Sequence, residues 1–373
     1  MSIGAGTDRE RVYLDHAAST AVRPEADAAA ALVAADGPAN PTGVHRDAQR
    51  MRAHLEAARE AVAALCSVAP HRVVFTSGGT ESDNFAIAAG AARGGRVLYS
   101  AVEHPAVAVP ASRAGGEEIP VDASGVVDLD VLDRLLESGG AVAVVSVMAA
   151  NNETGVVQPL DEIGALVRAR APHAWFHTDA VQAFTKVDGF GGAGLVSVTA
   201  HKLGGPIGTG ALVLGEAVEP EPMLHGGGQE RGMRAGTPDP VGAAAFAAAA
   251  TASAADDWSR VGALRDRLEA GLLEAVDGLV VHGADAQRLP THCHVGVEGV
   301  MADMLVIACD RAGLAVSSGS SCASGAQKAS GVLAAMGVSA EGALRLSLGW
   351  NTTADDVDFA LATVAAAVKG LRG

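Results

Sequence analysis

A chain of 373 residues is long enough for about 2.5 average domains, which excludes a lone small binding module and favours two domains or one large body with an appendage. Its 27 basic residues against 43 acidic ones leave a net charge of −16, and the basic residues do not cluster, so nucleic acid and anionic lipid are poor partners. With 49% hydrophobic but only 3% aromatic residues, Ala, Val and Leu must fill the core and the 46 glycines must shape the loops.

The opening MSIGAGTDRERVYLD reaches charged residues before any apolar run, which argues against a secretory leader. The longest weakly apolar run, 241–255, is shorter than the ~18–20 residues a membrane span needs, so no membrane association and a cytoplasmic location are expected. Further along, short β-rich runs alternate with helical patterns: 73–75, 96–100, 142–148, 174–178, 195–200 and 211–214 read as strands of a mostly parallel sheet. Between them, Met51, Leu55, Ala58, Val62 and Leu65 recur at helical spacing over 46–65, and 161–171 reads as a second covering helix. After Asp256 and Asp257 the pattern changes to a long helix over 258–276, strands at 279–281 and 293–297, a helix over 302–312 and a closing helix from Ala354. This predicts a large domain over 14–256 and a smaller α/β domain over 257–373, joined by residues 1–13.

Clusters of Gly and polar residues punctuate the strand ends: SGGTES (77–82), ANNETG (150–155), HTDAVQ (177–182), TAHKLGG (199–205) and HGGGQERGMRAGT (225–237). In an open α/β sheet, ligands bind outside the carboxyl ends of the strands, so these clusters point to one crowded site. Gly78-Gly79-Thr80 before a helix suits an anion, because free N–H groups and a hydroxyl meet there. Asp179, three residues before Gln182, can pair with a protonated ring nitrogen while the amide holds a ring oxygen. Lys202, after an apolar strand and before a glycine turn, is a candidate Schiff-base former. Singly, each also suits a plain turn, a solvated acid or a solvated lysine. In this order they make up the inventory that pyridoxal 5′-phosphate requires.

SGGTESDN, VEHPAV, NNETGVVQP, HTDAVQ, AHKLGGPIGTGAL, HGGGQERGMRAGT, SSGSSCASG and LRLSLG together resemble the ordered motifs of the cysteine desulfurases in the class V aminotransferase group, from Tyr13 to about Gly349. The resemblance implies a PLP fold type I, aspartate-aminotransferase-like enzyme with a smaller C-terminal domain carrying the cysteine loop. Carried over by position, it implies that Lys202 forms the Schiff base and moves the Cα proton, and that His104 stacks on the pyridine ring. Asp179 is then the partner of the ring nitrogen and Gln182 of the ring hydroxyl; Gly79, Thr80, Thr199 and His201 hold the phosphate, and Asn152 and Arg345 hold the substrate carboxylate. It further implies a homodimer in which Thr237 reaches the partner's active site, L-cysteine as substrate, and an acceptor protein that takes the sulfur.

The four cysteines, Cys66, Cys293, Cys309 and Cys322, form no C-x-x-C pair, which fits reduced thiols. Cys322 lies in a stretch of Ser and Gly too polar for a core, where a thiol can reach substrate and carry sulfur away as a persulfide; the resemblance makes it the sulfur acceptor. Thr291-His292-Cys293-His294 invites a metal reading, but on a strand the two histidines and the cysteine point to opposite faces, so no metal is expected. Glu81 and Glu153 read as caps or loop braces. Thr199-Ala200 stands where many members have Ser-Gly, Ser321 replaces a more usual alanine, and Gln327-Lys328-Ala329 departs from the common continuation. The sequence stops at Gly373, soon after the last helix, whereas members that feed an iron–sulfur scaffold often carry a longer tail. Iron–sulfur assembly, tRNA or DNA thiolation and thio-metabolite synthesis therefore all stay open as destinations. A related C–S or C–Se lyase that does not need Cys322, selenocysteine lyase-like, is the alternative.

Overall fold

The computed structural model describes residues 11–319 and 330–373. Twelve strands are present among them: β1 (Val12–Tyr13), β2 (Val73–Thr76), β3 (Arg96–Ser100), β4 (Glu117–Ile119), β5 (Val142–Ser146), β6 (Trp175–Asp179), β7 (Leu195–Thr199), β8 (Gly210–Leu214), β9 (Leu279–Val281), β10 (His292–Val297), β11 (Leu314–Ala315) and β12 (Leu344–Ser347). Seven form the central sheet in the order β2-β8-β7-β6-β5-β3-β4. Only β8 runs antiparallel to its neighbours, and every other adjacent pair is parallel. The carboxyl ends of β2, β3, β5, β6 and β7 therefore meet at one edge.

These strands are buried on both faces, which is why they read as continuous apolar runs rather than alternating ones. Val73 and Phe75 face the core formed with Leu55, Ala58 and Val62 of the helix Arg46–Leu65. Val74 turns the other way, to Phe85, Ala86 and Ala89 of the helix Gly79–Ala92. A separate core gathers Leu14, Val261, Leu268, Cys293, Val295, Leu346 and Val364 around the small sheet β12-β10-β9. Strand β1 pairs in parallel with β11, so the residues just before the first helix of the large sheet belong to this second core. Among the described residues, no helix is long and apolar enough to cross a membrane.

The expected strands and helices lie where the patterns put them, with strand ends shifted by a residue or two: β5 stops at Ser146 and β7 at Thr199. The sequence reading named neither the helices Pro24–Ala35, Pro105–Arg113 and Leu129–Glu137 nor the short strands β1, β4 and β11, although Leu129, Leu132, Leu135 and Leu136 recur at helical spacing behind the Asp128 cap. Cys293 packs with Val295 and Val297 in the second core, while His294 turns to the opposite face and sets its Nδ1 2.8 Å from that of His282. The two types thus diverge as strand geometry requires.

One buried ion pair anchors the glycine-rich 225–237 segment. Arg59 grips Glu230 with two hydrogen bonds of 2.7 and 2.8 Å, and Glu230 Oε2 also accepts from the Phe75 amide at 2.9 Å. Glu230 and Arg231 both adopt left-handed backbone angles, φ 46° and 57°, which non-glycine residues hold only when the surroundings fix them. Removing the carboxylate in Glu230→Ala leaves the buried Arg59 guanidinium with only the half-exposed Glu56, 3.1 Å from its Nε, as counter-charge. We expect a loss of about 3–5 kcal/mol, read as a lowered urea midpoint of the first unfolding transition.

Candidate active site

Four of the glycine-rich and polar clusters converge at the shared carboxyl edge. They line one cleft of about 560 Å³ that contains Gly79, Thr80, His104, Asn152, Asp179, Gln182, Thr199, His201, Lys202 and Arg345. The fifth cluster, 225–237, follows β8, whose carboxyl end points to the opposite edge, and it does not line the cleft. Thr237 is exposed there. Cys322 lies outside the described residues.

After β2 the chain turns at Gly78, φ 143°, into the helix that starts at Gly79. A Cβ on Gly79 would lie 2.7 Å from Val181 Cγ2, so only glycine lets the helix start approach the floor of the cleft. Glu81 braces this turn: it accepts from the Ser77 amide at 2.8 Å and pairs with Arg234 at 2.9 Å. Thr199 Oγ1 donates to the Thr209 carbonyl at 3.0 Å and lies 3.1 Å from His201 Nδ1. Burial, and then the neighbouring Lys202, push His201 down to about 4.

At the end of β6, Asp179 is 5% exposed and accepts from the Val181 amide at 2.9 Å. Burial, followed by the charge of Asp83, pushes its carboxyl up to about 7, while His104 and His177 pull it back. His177, fully buried, is held between Ser146 Oγ at 2.8 Å and Ser197 Oγ at 3.0 Å, and burial pushes it down to about 4. His104 caps the helix Pro105–Arg113, its Nδ1 accepting from the Ala106 amide at 3.1 Å. A neutral ring that accepts at Nδ1 carries its proton on Nε2. Burial lowers the His104 pKa, against the pull of Asp179.

Lys202 Nζ donates to the Ala17 and Ala18 carbonyls at 2.6 and 2.7 Å, and Gln182 Nε2 donates to the same Ala17 oxygen at 2.9 Å. Arg345, on β12, reaches across from the small sheet. Its guanidinium meets Asp15 at 2.7 Å and the Asn152 carbonyl at 2.9 Å, while its buried Nε has no hydrogen-bond partner among the described residues.

These groups fit pyridoxal 5′-phosphate. The helix start at Gly79, with Thr80, supplies donors for a phosphate beside Thr199 and His201, and Asp179 is a buried acid that a pyridinium would stabilise as a carboxylate. Lys202 supplies the primary amine in the same cleft, and Arg345, which also lines it, supplies a guanidinium for a carboxylate.

Several lining or supporting groups gave no sequence signal. Asp83 lines the cleft at 1% exposure, and its Oδ1, 3.5 Å from His177 Nε2, makes no hydrogen bond. Glu103 is buried beside it, accepting from the Met148 amide at 2.6 Å, and burial raises its carboxyl well above the usual range. Burial pushes Asp83 up to about 7, so the folded chain holds a proton there that the unfolded chain releases near pH 4. The resulting stability is complete below about pH 4 and is lost as pH rises through about 7. Cofactor-free Asp83→Asn is therefore expected to be more stable than the parent above pH 7, by on the order of 4 kcal/mol, with the difference vanishing toward pH 4. Urea midpoints of the two proteins across that range check this, and a constant difference would contradict it.

Comparison with known proteins shows the family. The family model for class-V aminotransferases matches residues 12–359. The chain is 40% identical to an IscS-like cysteine desulfurase of Mycobacterium tuberculosis, over 96% of this chain and 97% of that protein. It is also 40% identical to a cysteine desulfurase of Cereibacter sphaeroides, over 97% of each. Among solved structures, a NifS-like protein superposes with a TM-score of 0.88 at 30% identity, covering 96% of this chain and all of the other. The fold is therefore that of the type I PLP enzymes, and the chain belongs to the class-V aminotransferase family.

Proposed function

We propose that the protein is a PLP-dependent cysteine desulfurase that converts L-cysteine to L-alanine and places the sulfur on Cys322 as a persulfide. The observation that carries this reading is the convergence on one cleft of Lys202, Asp179 and His104, from three strand ends of the seven-stranded sheet, with Arg345 from β12 of the three-stranded sheet. Thr80, Thr199, His201 and the helix start at Gly79 hold the phosphate, and Asp179 and Gln182 hold the ring. Bound there, the cofactor supplies an electrophilic carbon for the substrate amine and an electron sink for the pair left at Cα.

The chain's own groups do the rest. Arg345, steered by Asp15 and Asn152, takes the substrate carboxylate with its guanidinium. Lys202, released from the Ala17 and Ala18 carbonyls, removes the proton from Cα. Asp179 would keep a proton on the ring nitrogen, and His104, its orientation fixed by the Ala106 amide, would help hold the ring. The Cys322 thiolate attacks the substrate Sγ; the Cβ–Sγ bond breaks, an S–S bond forms on Cys322, Cβ takes up a proton, and a proton returned to Cα gives alanine.

The protein is further read as a cytoplasmic homodimer, divided into domains over 14–256 and 257–373, with Thr237 serving the partner's cleft. The exposure of Thr237 outside this chain's own cleft supports that placement. An acceptor protein then takes the persulfide sulfur. Incubating the yellow holoenzyme with L-cysteine and a thiol reductant tests the reading: alanine and sulfide should appear in equal amounts, and without reductant the intact mass should rise by roughly 32 Da. A colourless protein that yields no alanine would sink it.

A further inference from the structure

The turn that carries Asn152 is organised by a neighbour that does not line the cleft. Asn151 is buried, and its backbone and side-chain polar groups are all engaged within the chain. Its amide donates to the Val156 carbonyl and its carbonyl accepts from the Gly155 amide, each at 2.9 Å, which closes the base of the turn. Inside that base, Asn151 Oδ1 accepts from the Glu153 amide at 2.9 Å, the Thr154 amide at 3.0 Å and Thr154 Oγ1 at 3.3 Å. The side chain thus takes the place of a backbone acceptor, as an Asn that opens a turn commonly does. Glu153 and Thr154 are themselves buried, so without Asn151 their amides have no water to turn to.

Two parts of the cleft hang on this turn. Between Asn151 and Glu153, the Asn152 carbonyl accepts from the Arg345 guanidinium at 2.9 Å, and Asp15, at 2.7 Å, is that side chain's other hydrogen-bond partner among the described residues. On the opposite side, Asn151 Nδ2 donates to the Val102 carbonyl at 3.1 Å, two residues before His104. The His104 turn has further ties of its own, from the Met148 amide to Glu103 at 2.6 Å and from the Ala106 amide to His104 at 3.1 Å. Loss of the Asn151 side chain therefore leaves His104 fastened and removes the support beneath one of the two groups that aim Arg345.

We propose that Asn151 is a positioning residue for recognition of the substrate carboxylate: by shaping the turn around Asn152, it fixes the carbonyl that aims the Arg345 guanidinium. This rests on the desulfurase reading. It divides substrate recognition into two separable halves, since the amine is met at the cofactor and only the carboxylate depends on the guanidinium that this turn steers.

Holoenzyme carrying Asn151→Ala tests this with two probes, L-cysteine and cysteamine, which has the same amine and thiol but no carboxylate. The concentration of each that half-saturates the cofactor's absorbance change is the readout. In Asn151→Ala the value for L-cysteine should rise about tenfold, the scale of one hydrogen bond to a charged group, while that for cysteamine stays within about twofold of wild type. Asn151→Ser, whose hydroxyl accepts from the same amides more weakly and falls short of Val102, should show a smaller rise of about threefold, again for L-cysteine alone. An L-cysteine value unchanged in whichever variant folds, or an equal rise for both probes, would overturn the proposal while leaving the desulfurase reading intact. A wild type whose absorbance does not respond to L-cysteine overturns both.

Discussion

Cys322→Ser is expected to lose essentially all alanine and sulfide production while keeping its yellow colour and its absorbance response to L-cysteine. A serine hydroxyl is a weak nucleophile toward sulfur at neutral pH, and none of the groups that would hold cofactor or substrate is altered. The other thiols cannot substitute. Burial pushes Cys66 up to about 12 and Cys309 to about 11, and raises the pKa of Cys293 as well. At pH 7.5 each of these is a thiolate in less than roughly one molecule in 10³. The mass increase of roughly 32 Da should therefore map to Cys322 and vanish in the variant. Alanine production at wild-type rate in Cys322→Ser would instead move the function to a lyase and make the loop cysteine incidental.

Lys202→Ala should remove both the nucleophilic amine and the base from the cleft. The Ala18 carbonyl would lose its Lys202 donor while the Ala17 carbonyl keeps Gln182, and both lie beside the cleft within reach of water, so the fold should survive. We expect turnover to fall by about 10³-fold or more, the scale of a lost acid–base group compounded with a lost nucleophile. Borohydride should attach the cofactor covalently to wild type and not to the variant. Lys202→Arg should fare no better, because a guanidinium stays charged at every accessible pH. Covalent labelling that persists in Lys202→Ala would mean that another amine does this work; Lys186, which burial pushes down to about 7, would be the one to examine.

Much of the site could be read in the sequence because its chemistry is concentrated at strand ends. Asp179 and Lys202 each stand where an apolar strand stops, and the strand itself is visible as a β-rich run. What could not be read is of two kinds. The Ala17 and Ala18 carbonyls that engage Lys202 and Gln182 are backbone atoms, and no residue type announces them. Asp83 and Glu103 are charged residues in places where a solvated acid is the ordinary expectation, and only the packing of the helix Gly79–Ala92 and the loop after β3 against the sheet shows that they are buried. The helix Pro105–Arg113 was hidden by Pro110 inside it, a residue that normally ends helices. Thr237 was legible as a candidate, yet its position outside the cleft follows from the direction of β8, which no local pattern reveals.

The parallel pairing of β1 with β11 bears on how the enzyme comes into being on the ribosome. Val12 and Tyr13 cannot find Leu314 and Ala315 until most of the chain has been synthesised, a wait of about 15–60 s at ordinary elongation rates. The segment that follows β1 carries Asp15, Ala17 and Ala18, which hold Arg345, Gln182 and Lys202. The seven-stranded sheet can assemble earlier from its own contiguous residues, but its cleft stays unfinished. In a nascent chain Lys202 and Gln182 thus wait for the Ala17 and Ala18 carbonyls to be fixed in place, and the pocket is completed only when the segment bearing the sulfur acceptor has also been made.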